Sequence, residues 1–500
     1  MRLTDLLLCV DGVHYEQKPS ANVTAVCVDS RKCQPGSLFV AISGDVDDGA
    51  CYIEDAISNG AVAILSEKPL DVPDGVDIVF HANPRQVAGE MLAVLHHLKP
   101  RYRVAVTGTN GKSSVVHFCR EIWSELGKKG GSIGTLGAVY SQANNIPKEA
   151  PESVLTTPDV ATLHHMLESS AREGCEYIAI EASSHGLAQK RFAGITVQAA
   201  GFTNLTQDHL DYHHTMEAYL AAKLKLFTGV LESNGVAVIN ADDSAAADFA
   251  QYCERLNINV WSYGHQGWDF RWLEYSPVTS GSDNIFEVFG RNYEVSYNLI
   301  GEFQISNMLC AIGLVLASFL GREEKISPEI VQKVIAASTK VHSPKGRMEH
   351  VASCKKGAVI LVDYAHTPDA LEHVLKAAKS HASEKLHVVF GCGGNRDAGK
   401  RPLMGKIAAS YADNIIITDD NPRMEDAEYI RKQILVACPD AKEIADRESA
   451  IKEAIANLAT GDVLVIAGKG HETFQIIGEN RNHFSDAEIV INSVQKMEDQ

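Results

Sequence analysis

Three things are scarce in these 500 residues, and each absence removes a class of function. The eleven cysteines include no Cys-x-x-Cys pair, which argues against zinc ribbons, iron–sulfur clusters and thioredoxin-like redox chemistry and leaves them as buried, reduced thiols. Basic residues are outnumbered, 46 Lys and Arg against 64 Asp and Glu, for a formal net charge of -18. Duplex nucleic acid is held by clustered cations that neutralise phosphates, so no nucleic-acid partner is expected, and any phosphate chemistry must rely on a few local cations. The N-terminal apolar run Leu6-Leu7-Leu8-Cys9-Val10 is hemmed in by Asp5 and Asp11. It is too short for a signal-peptide core or a membrane span, which leads us to expect a cytoplasmic protein with no membrane insertion.

What is present is a large apolar fraction, 45%. Single cores stop growing near about 250 to 300 residues, so two or three domains are expected. Short β-branched runs alternate with helical-period segments throughout, the pattern of parallel α/β sheets whose two faces are covered by helices. A helical stretch halts at Leu98-Lys99-Pro100 before the strand-like Arg103-Val104-Ala105-Val106, and a polar break falls at Lys340 to Gly346. The boundaries therefore predict domains at 1–98, 99–340 and 341–500. The fold class is α/β, with a smaller N-terminal domain, a central parallel sheet carrying a P-loop, and a Rossmann-like C-terminal domain. In the last block, strand-like Asn414 to Thr418 and Asp462 to Ala467 each lead into a polar or Gly-rich segment, where open α/β sheets place ligands.

After the run Val104 to Val106 comes Thr107-Gly108-Thr109-Asn110-Gly111-Lys112-Ser113-Ser114, and then an amphipathic segment from Val115 to Leu126. Small residues let successive N–H groups turn onto phosphate oxygens, a helix N-terminus adds positive potential, Lys112 adds a mobile cation, and the Ser113 hydroxyl can bind Mg2+. The loop is tighter than G-x-x-x-x-G-K-[ST], because Val106 stands where that pattern needs glycine. A nucleoside triphosphate site follows. A second loop, Gly394 to Arg401, satisfies G-x-x-x-x-G-K but ends in arginine. With no hydroxyl for a metal and with extra guanidinium groups, it suits a carboxylate or phosphate of another substrate.

Between these loops, Glu181-Ala182-Ser183-Ser184-His185-Gly186 follows one strand-like run, and Asn204 with Asp208-His209-Leu210-Asp211-Tyr212-His213 follows another. Any one such group is more often a cap or a surface histidine; together after consecutive strands they predict a polar active-site rim able to bind metal. Lys223, taken alone, is a solvated helix lysine.

These motifs, with Asp363-Tyr364-Ala365-His366-Thr367-Pro368, resemble the Mur ligase superfamily, and among its members those that add diaminopimelate. The likeness extends over nearly the whole chain, from Asp29-Ser30-Arg31 and Gly36 to Ala41 onward. It implies an ATP- and Mg2+-dependent amide ligase, monomeric and acting on small molecules: a UDP-linked muramoyl dipeptide and meso-diaminopimelate. By resemblance, Val28, Ser30, Asp45, Val46 and Asp47 hold the uridine end. Thr156, Thr157, Ser183, Gln189 and Arg191 hold the muramoyl peptide. Gly108, Thr109, Asn110, Gly111, Lys112, Ser113 and Ser114, with Asn307, Arg347 and Asp363, serve ATP. Ser113, Glu181, His209 and a carbamylated Lys223 bind Mg2+, with Lys112, Lys223, Glu181 and His209 forming the catalytic set. The chain departs from the family at Gln304, which replaces the first asparagine of the adenine-side motif; the Asn307 contact carries over.

The identity of the added amine turns on Asp420-Asn421-Pro422-Arg423, the form that resembles diaminopimelate-adding members. Diaminopimelate has a far-end carboxylate that lysine lacks, and Arg396 with Arg423 is suited to clamp it by charge-assisted bonds. Glu472, in the segment that begins at Gly468, is suited to the far ammonium. A lysine-adding ligase, a folylpolyglutamate synthetase and a P-loop switch that hydrolyses ATP without an amine remain the rival readings.

Overall fold

The computed structural model describes residues 1–43, 48–141, 147–149, 155–320, 326–354 and 357–498. Asp45, Val46 and Asp47, expected at the uridine end, lie outside the described residues. The chain has a three-domain α/β fold whose contacts divide into two compact units, Met1–Tyr263 with Cys310–Val334, and Gly264–Leu309 with Ile335–Gln500.

The first unit opens with a four-stranded parallel sheet in chain order: Ala25–Cys27, Ser37–Val40, Ala61–Ser66 and Asp77–Phe80. Burial on both faces explains the runs without alternation. Leu38, Val40, Leu65 and Val79 pack under the helix Pro84–Leu95, and Phe39, Ile64, Ile53 and Ala56 fill the other face. That helix begins with Asn83 as its cap, accepting from the Gln86 N–H, and Pro84 in its first turn, where a missing N–H costs nothing. At Gly89 a Cβ would sit 2.3 Å from that of Ala193, so only glycine lets the helix approach this closely.

The central sheet of this unit runs Asn259–Gly264, Leu231–Asn240, Val197–Phe202, Tyr102–Thr107, Tyr177–Glu181 and Gly130–Gly134, all parallel, before two antiparallel strands, Gly137–Ser141 and Pro147–Glu149. Tyr102–Thr107 lies between Val197–Phe202 and Tyr177–Glu181. The three segments singled out in the sequence thus emerge side by side at one C-terminal edge.

In the second unit a six-stranded sheet has the order Glu349–Ser353, Val359–Asp363, Val463–Ala467, Leu386–Phe390, Asn414–Ile417 and Lys442–Glu443, parallel except for its first strand. Separate apolar clusters cover its two faces. Asp363 ends its strand, and Asp420 and Gly468 follow theirs, at the C-terminal edge where open α/β sheets bind ligands. This unit also has an antiparallel meander, Phe270–Val278, Gly281–Val288 and Arg291–Tyr297, that the sequence reading did not resolve. The helix Glu302–Leu320 is long and apolar enough to cross a membrane, yet 78% of its most apolar 18-residue stretch is buried inside the protein, as in a core helix.

Candidate functional site

The phosphate loop lies between the strand Tyr102–Thr107 and the helix Lys112–Glu125. Gly108 adopts φ +154, and a Cβ there would fall 1.8 Å from Thr203 Oγ1, so side-chain bulk is excluded where a phosphate would need backbone N–H groups. The neighbouring strand end braces the loop. Thr109 N donates to Asn204 O at 2.9 Å, Asn110 N to Asn204 Oδ1 at 2.9 Å, and Thr203 Oγ1 to Asn110 O at 2.6 Å. Lys112 Nζ reaches back to Gly108 O and Thr109 O, both at 2.8 Å. Its ammonium therefore lies over the loop itself.

Glu181 is 1% exposed, with Oε1 accepting from Thr135 N at 2.9 Å and Oε2 lying 3.2 Å from Thr135 Oγ1. Thr135, which sequence reasoning missed, fixes this carboxylate; a threonine after a strand of no notable motif gave no signal. The two histidine-bearing segments converge as the sequence predicts: the His185 ring is 4.8 Å from that of His209 and 4.2 Å from that of Tyr212. Burial, with His209 adding to it, pushes the His185 pKa down. His209 itself has φ 53, a left-handed backbone that aims its ring into this cluster.

Lys223 is not the solvated helix lysine that composition alone suggests. It is 1% exposed, its ammonium nitrogen lies 4.1 Å from the Tyr219 ring centroid, and no carboxylate pairs with it among the described residues. Burial first, and then the nearby Lys112 charge, hold its pKa well below the usual lysine range. Among the described residues, no group of three or more His, Cys, Asp or Glu side chains forms a ready-made metal site.

Four of the residues expected to hold the muramoyl peptide form one network. Thr157, fully buried, donates to Glu181 O at 2.8 Å and lies 3.0 Å from Ser183 Oγ. Arg191 donates to Thr157 O and, through Nη2, to Gln189 Oε1 at 2.7 Å. Thr156 joins through Thr135, Oγ1 to Oγ1 at 3.3 Å. Ser30 is buried at the start of a short 3-10 turn that Asp29 caps, and Val28 directly precedes that cap.

In the second unit Gln304 has a partner of its own: its Nε2 donates to Arg347 O at 3.0 Å, and its Oε1 accepts from Asn307 Nδ2 at 3.2 Å. Asp363 accepts from Met348 N at 2.7 Å and Ala365 N at 2.8 Å. Burial raises its pKa, with the Arg347 charge opposing. Its carboxylate thus holds the Arg347 loop in place. The Arg347 guanidinium lies 4.9 Å from the Tyr364 ring centroid, and its buried Nε has no hydrogen-bond partner.

The residues expected to hold diaminopimelate also gather. Arg423 Nη1 donates to Gly394 O at 2.9 Å, and Asn421 Nδ2 to Glu472 Oε2 at 2.9 Å. Neither Arg396, which is exposed, nor Arg423 has a carboxylate partner among the described residues. A Cβ at Gly393 would touch both arginines, at 2.9 Å from Arg423 Nη1 and 3.9 Å from Arg396 Cγ. Asp420 is buried beside Gly468, and Pro422 carries the turn into Arg423. The second anion loop needs correction at one residue. Arg401 is fully buried and bound to Glu425, Nη1 to Oε1 at 2.6 Å and Nη2 to Oε2 at 2.8 Å, so its guanidinium is structural, whereas Arg396 is exposed with no carboxylate partner among the described residues. Sequence reasoning also missed Lys469, fully buried among Asn421, Glu472 and Phe474. A cavity of about 910 Å³ opens at the other, N-terminal, strand edge of this sheet, lined by Lys385, His387 and Asp462, away from all these motifs.

Comparison with known proteins agrees with the motifs. Three family models match in succession: Mur ligase family, catalytic domain, over residues 22–104; Mur ligase middle domain over 106–315; and Mur ligase, glutamate ligase domain over 346–470. A UDP-N-acetylmuramoyl-L-alanyl-D-glutamate--2,6-diaminopimelate ligase of Caulobacter vibrioides is 44% identical over 93% of this chain and 94% of its own. The protein of that name from Bradyrhizobium diazoefficiens is 44% identical over 98% of each chain. A solved structure of such a ligase matches 100% of this chain and 99% of its own, with TM-score 0.72 and 32% identity. Matches this long, together with the phosphate loop and the motif network built around it, establish that the chain belongs to the Mur ligase family.

Proposed function

We propose that the chain is the ATP-dependent ligase that joins meso-2,6-diaminopimelate to the D-glutamyl carboxylate of UDP-N-acetylmuramoyl-L-alanyl-D-glutamate, giving ADP and phosphate. Its setting is the cytoplasm, where it supplies peptidoglycan synthesis and so cell shape and division, as a monomer. The observation that carries the choice of amine is the pair of guanidiniums, Arg396 and Arg423, that flank Gly393 and have no carboxylate partner among the described residues. L-lysine would leave both unpaired; diaminopimelate brings a carboxylate to them and an ammonium to Glu472. The shared name and near-complete length of the relatives support the same reading.

In this reading residues 1–98 take the uridine nucleotide through Val28, Ser30 and the 45–47 segment, 99–340 take ATP, and 341–500 take the amino acid. Thr156, Thr157, Ser183, Gln189 and Arg191 hold the muramoyl peptide. Gly108 to Ser114 cradle the triphosphate, Asn307 and Arg347 engage the nucleotide, and Asp363 acts by fixing the Arg347 loop. Asp420, Asn421, Pro422 and Gly468 shape the diaminopimelate pocket around its charged readers.

A carboxylate repels nucleophiles and has no usable leaving group, so it must be activated. The D-glutamyl oxygen attacks the γ-phosphorus, the bond to the bridging oxygen breaks, and ADP departs, leaving an acyl phosphate. Lys112 neutralises the phosphate oxygens as charge moves. The diaminopimelate amine then attacks the acyl carbon, loses a proton, and expels phosphate.

Mg2+ fits the groups present: an oriented, buried carboxylate at Glu181, the Ser113 hydroxyl, His209, and an amine at Lys223 whose pKa burial lowers, which favours the neutral form that carbamylation by CO2 requires. When bound, the ion supplies further charge neutralisation at the phosphates.

The test is phosphate release from ATP with the UDP-dipeptide and either meso-diaminopimelate or L-lysine, with the product followed by mass. Strong dependence on diaminopimelate and the tripeptide mass are expected. Preference for lysine would overturn the arginine clamp, and release indifferent to either amine would favour a P-loop switch.

A further inference from the structure

Lys469 has no role in the ligation scheme above, yet its surroundings are specific. The side chain is completely buried, and its ammonium reaches three acceptors: Phe474 O at 2.6 Å, Glu472 Oε2 at 3.1 Å and Asn421 Oδ1 at 3.2 Å. Three donors on three acceptors saturate a lysine, so this ammonium has nothing left for a substrate. The acceptors belong to separate segments: the turn that holds Glu472, the Asp420 to Arg423 loop, and the strand Phe474–Ile477.

Asn421 closes the network. Its Nδ2 donates to the same Glu472 Oε2 at 2.9 Å, while its Oδ1 also accepts from Ile476 N at 2.9 Å. Two donors therefore fix one oxygen of Glu472, and the side chain keeps 20% exposure for a ligand at the other. We propose that Lys469 is a positioning residue that sets which amine the site accepts, by fixing Glu472 and cancelling part of its charge.

This proposal rests on the ligase reading given above. A free carboxylate in the pocket would attract the far ammonium of lysine and of diaminopimelate alike. With one oxygen of Glu472 held by the buried Lys469 ammonium, its pull on a lone ammonium is weakened, and Arg396 and Arg423 dominate the far end of the pocket. An amine with a far carboxylate is then favoured, and one without it is repelled.

The test begins with the full-length wild-type enzyme, assayed with each amine. Loss of diaminopimelate dependence at this first step would remove the ligase reading and this proposal with it. The variant Lys469→Met is then compared. The expected result is a KM for diaminopimelate raised about 10- to 100-fold, the range for losing a charged hydrogen bond. The KM for ATP should stay within about twofold, and the preference for diaminopimelate over lysine should fall about tenfold. Unchanged discrimination, or equal losses toward ATP and diaminopimelate, would overturn the proposal. Because Lys469→Met leaves a buried carboxylate short of a partner, the double variant Lys469→Met/Glu472→Gln is measured beside Glu472→Gln. If Lys469 acts through Glu472, the double variant binds diaminopimelate as Glu472→Gln does. A further loss equal to that of Lys469→Met alone would refute it.

Discussion

Arg396 and Arg401 belong to the same sequence motif and look alike in sequence, yet Arg396 lies on the loop and Arg401 in the first turn of the helix Lys400–Tyr411, and burial gives them opposite work. Arg401, at 0% exposure, forms a two-bond ion pair with Glu425 whose carboxyl it holds down to about 2, while Arg396 is exposed and unpaired among the described residues. Arg401→Ala should cost about 3 kcal/mol of stability, since it strands a charge partner, and thermal unfolding would register it. Arg396→Ala should leave the melting temperature unchanged and raise the KM for diaminopimelate. Lys223 presents the converse case. Its folded pKa is depressed well below the usual lysine value, so between the two values the unfolded chain binds a proton that the folded chain does not, and burial of this amine costs stability until the pH rises through 10.5. Lys223→Met should therefore raise the melting temperature in magnesium-free, CO2-free buffer and abolish ligation. Equal melting temperatures would show that the buried amine costs nothing.

At the scale of elements, the joint between the helices Pro84–Leu95 and Val160–Arg172 carries its own pH response. His164, on the second helix, is fully buried; its Nε2 bonds Ala193 O at 2.9 Å and its Nδ1 has no partner. Burial pushes its pKa down to about 3. Between that value and 6.5 the unfolded chain holds a proton that the folded chain refuses, so stability falls as the pH drops through this window and is unaffected above it. His471, at about 4 for the same reason, adds to the loss in the other unit. Denaturant midpoints measured from pH 7 to 4 should fall, and His164→Phe should make that fall shallower. An unaltered slope would show that His164 does not titrate there. Elements were legible where burial made sequence patterns simple. The runs at Tyr102–Thr107, Leu386–Phe390 and Val463–Ala467 are buried on both faces and read as continuous apolar strands. The meander from Phe270 to Tyr297 has one exposed face and an irregular register at Trp272, so its signal is weak.

Across the whole molecule, the phosphate loop lies in one compact unit and the arginines proposed to read diaminopimelate in the other. Turnover should therefore depend on both while their binding functions separate. Arg423→Ala should lower diaminopimelate-dependent phosphate release by about 10-fold or more, with ATP binding by calorimetry unchanged. Lys112→Ala should weaken ATP binding and leave diaminopimelate binding intact. If Arg423→Ala weakened ATP binding as much as Lys112→Ala does, the assignment of separate duties would fail. The net charge of -18 makes the local cations the more consequential, because in the proposed reaction anionic substrates would meet Lys112, Arg191, Arg347 and Arg423 within a repelling field.

The sequence alone was sufficient to single out the phosphate loop and the strand-end motifs, because each depends on residues close along the chain and on a strand-to-turn context that patterning reveals; the pairing of Arg396 with Arg423, far apart in sequence, came from the family resemblance and stays a proposal. Only the tertiary structure decided that Lys223 and Lys469 are buried, that Thr135 orients Glu181, that Gln304 braces Arg347 and that Arg401 is spent on Glu425. Burial and hydrogen-bond partners arise from segments far apart in sequence. A lysine's letter carries no record of whether water or a packed ring will surround its ammonium.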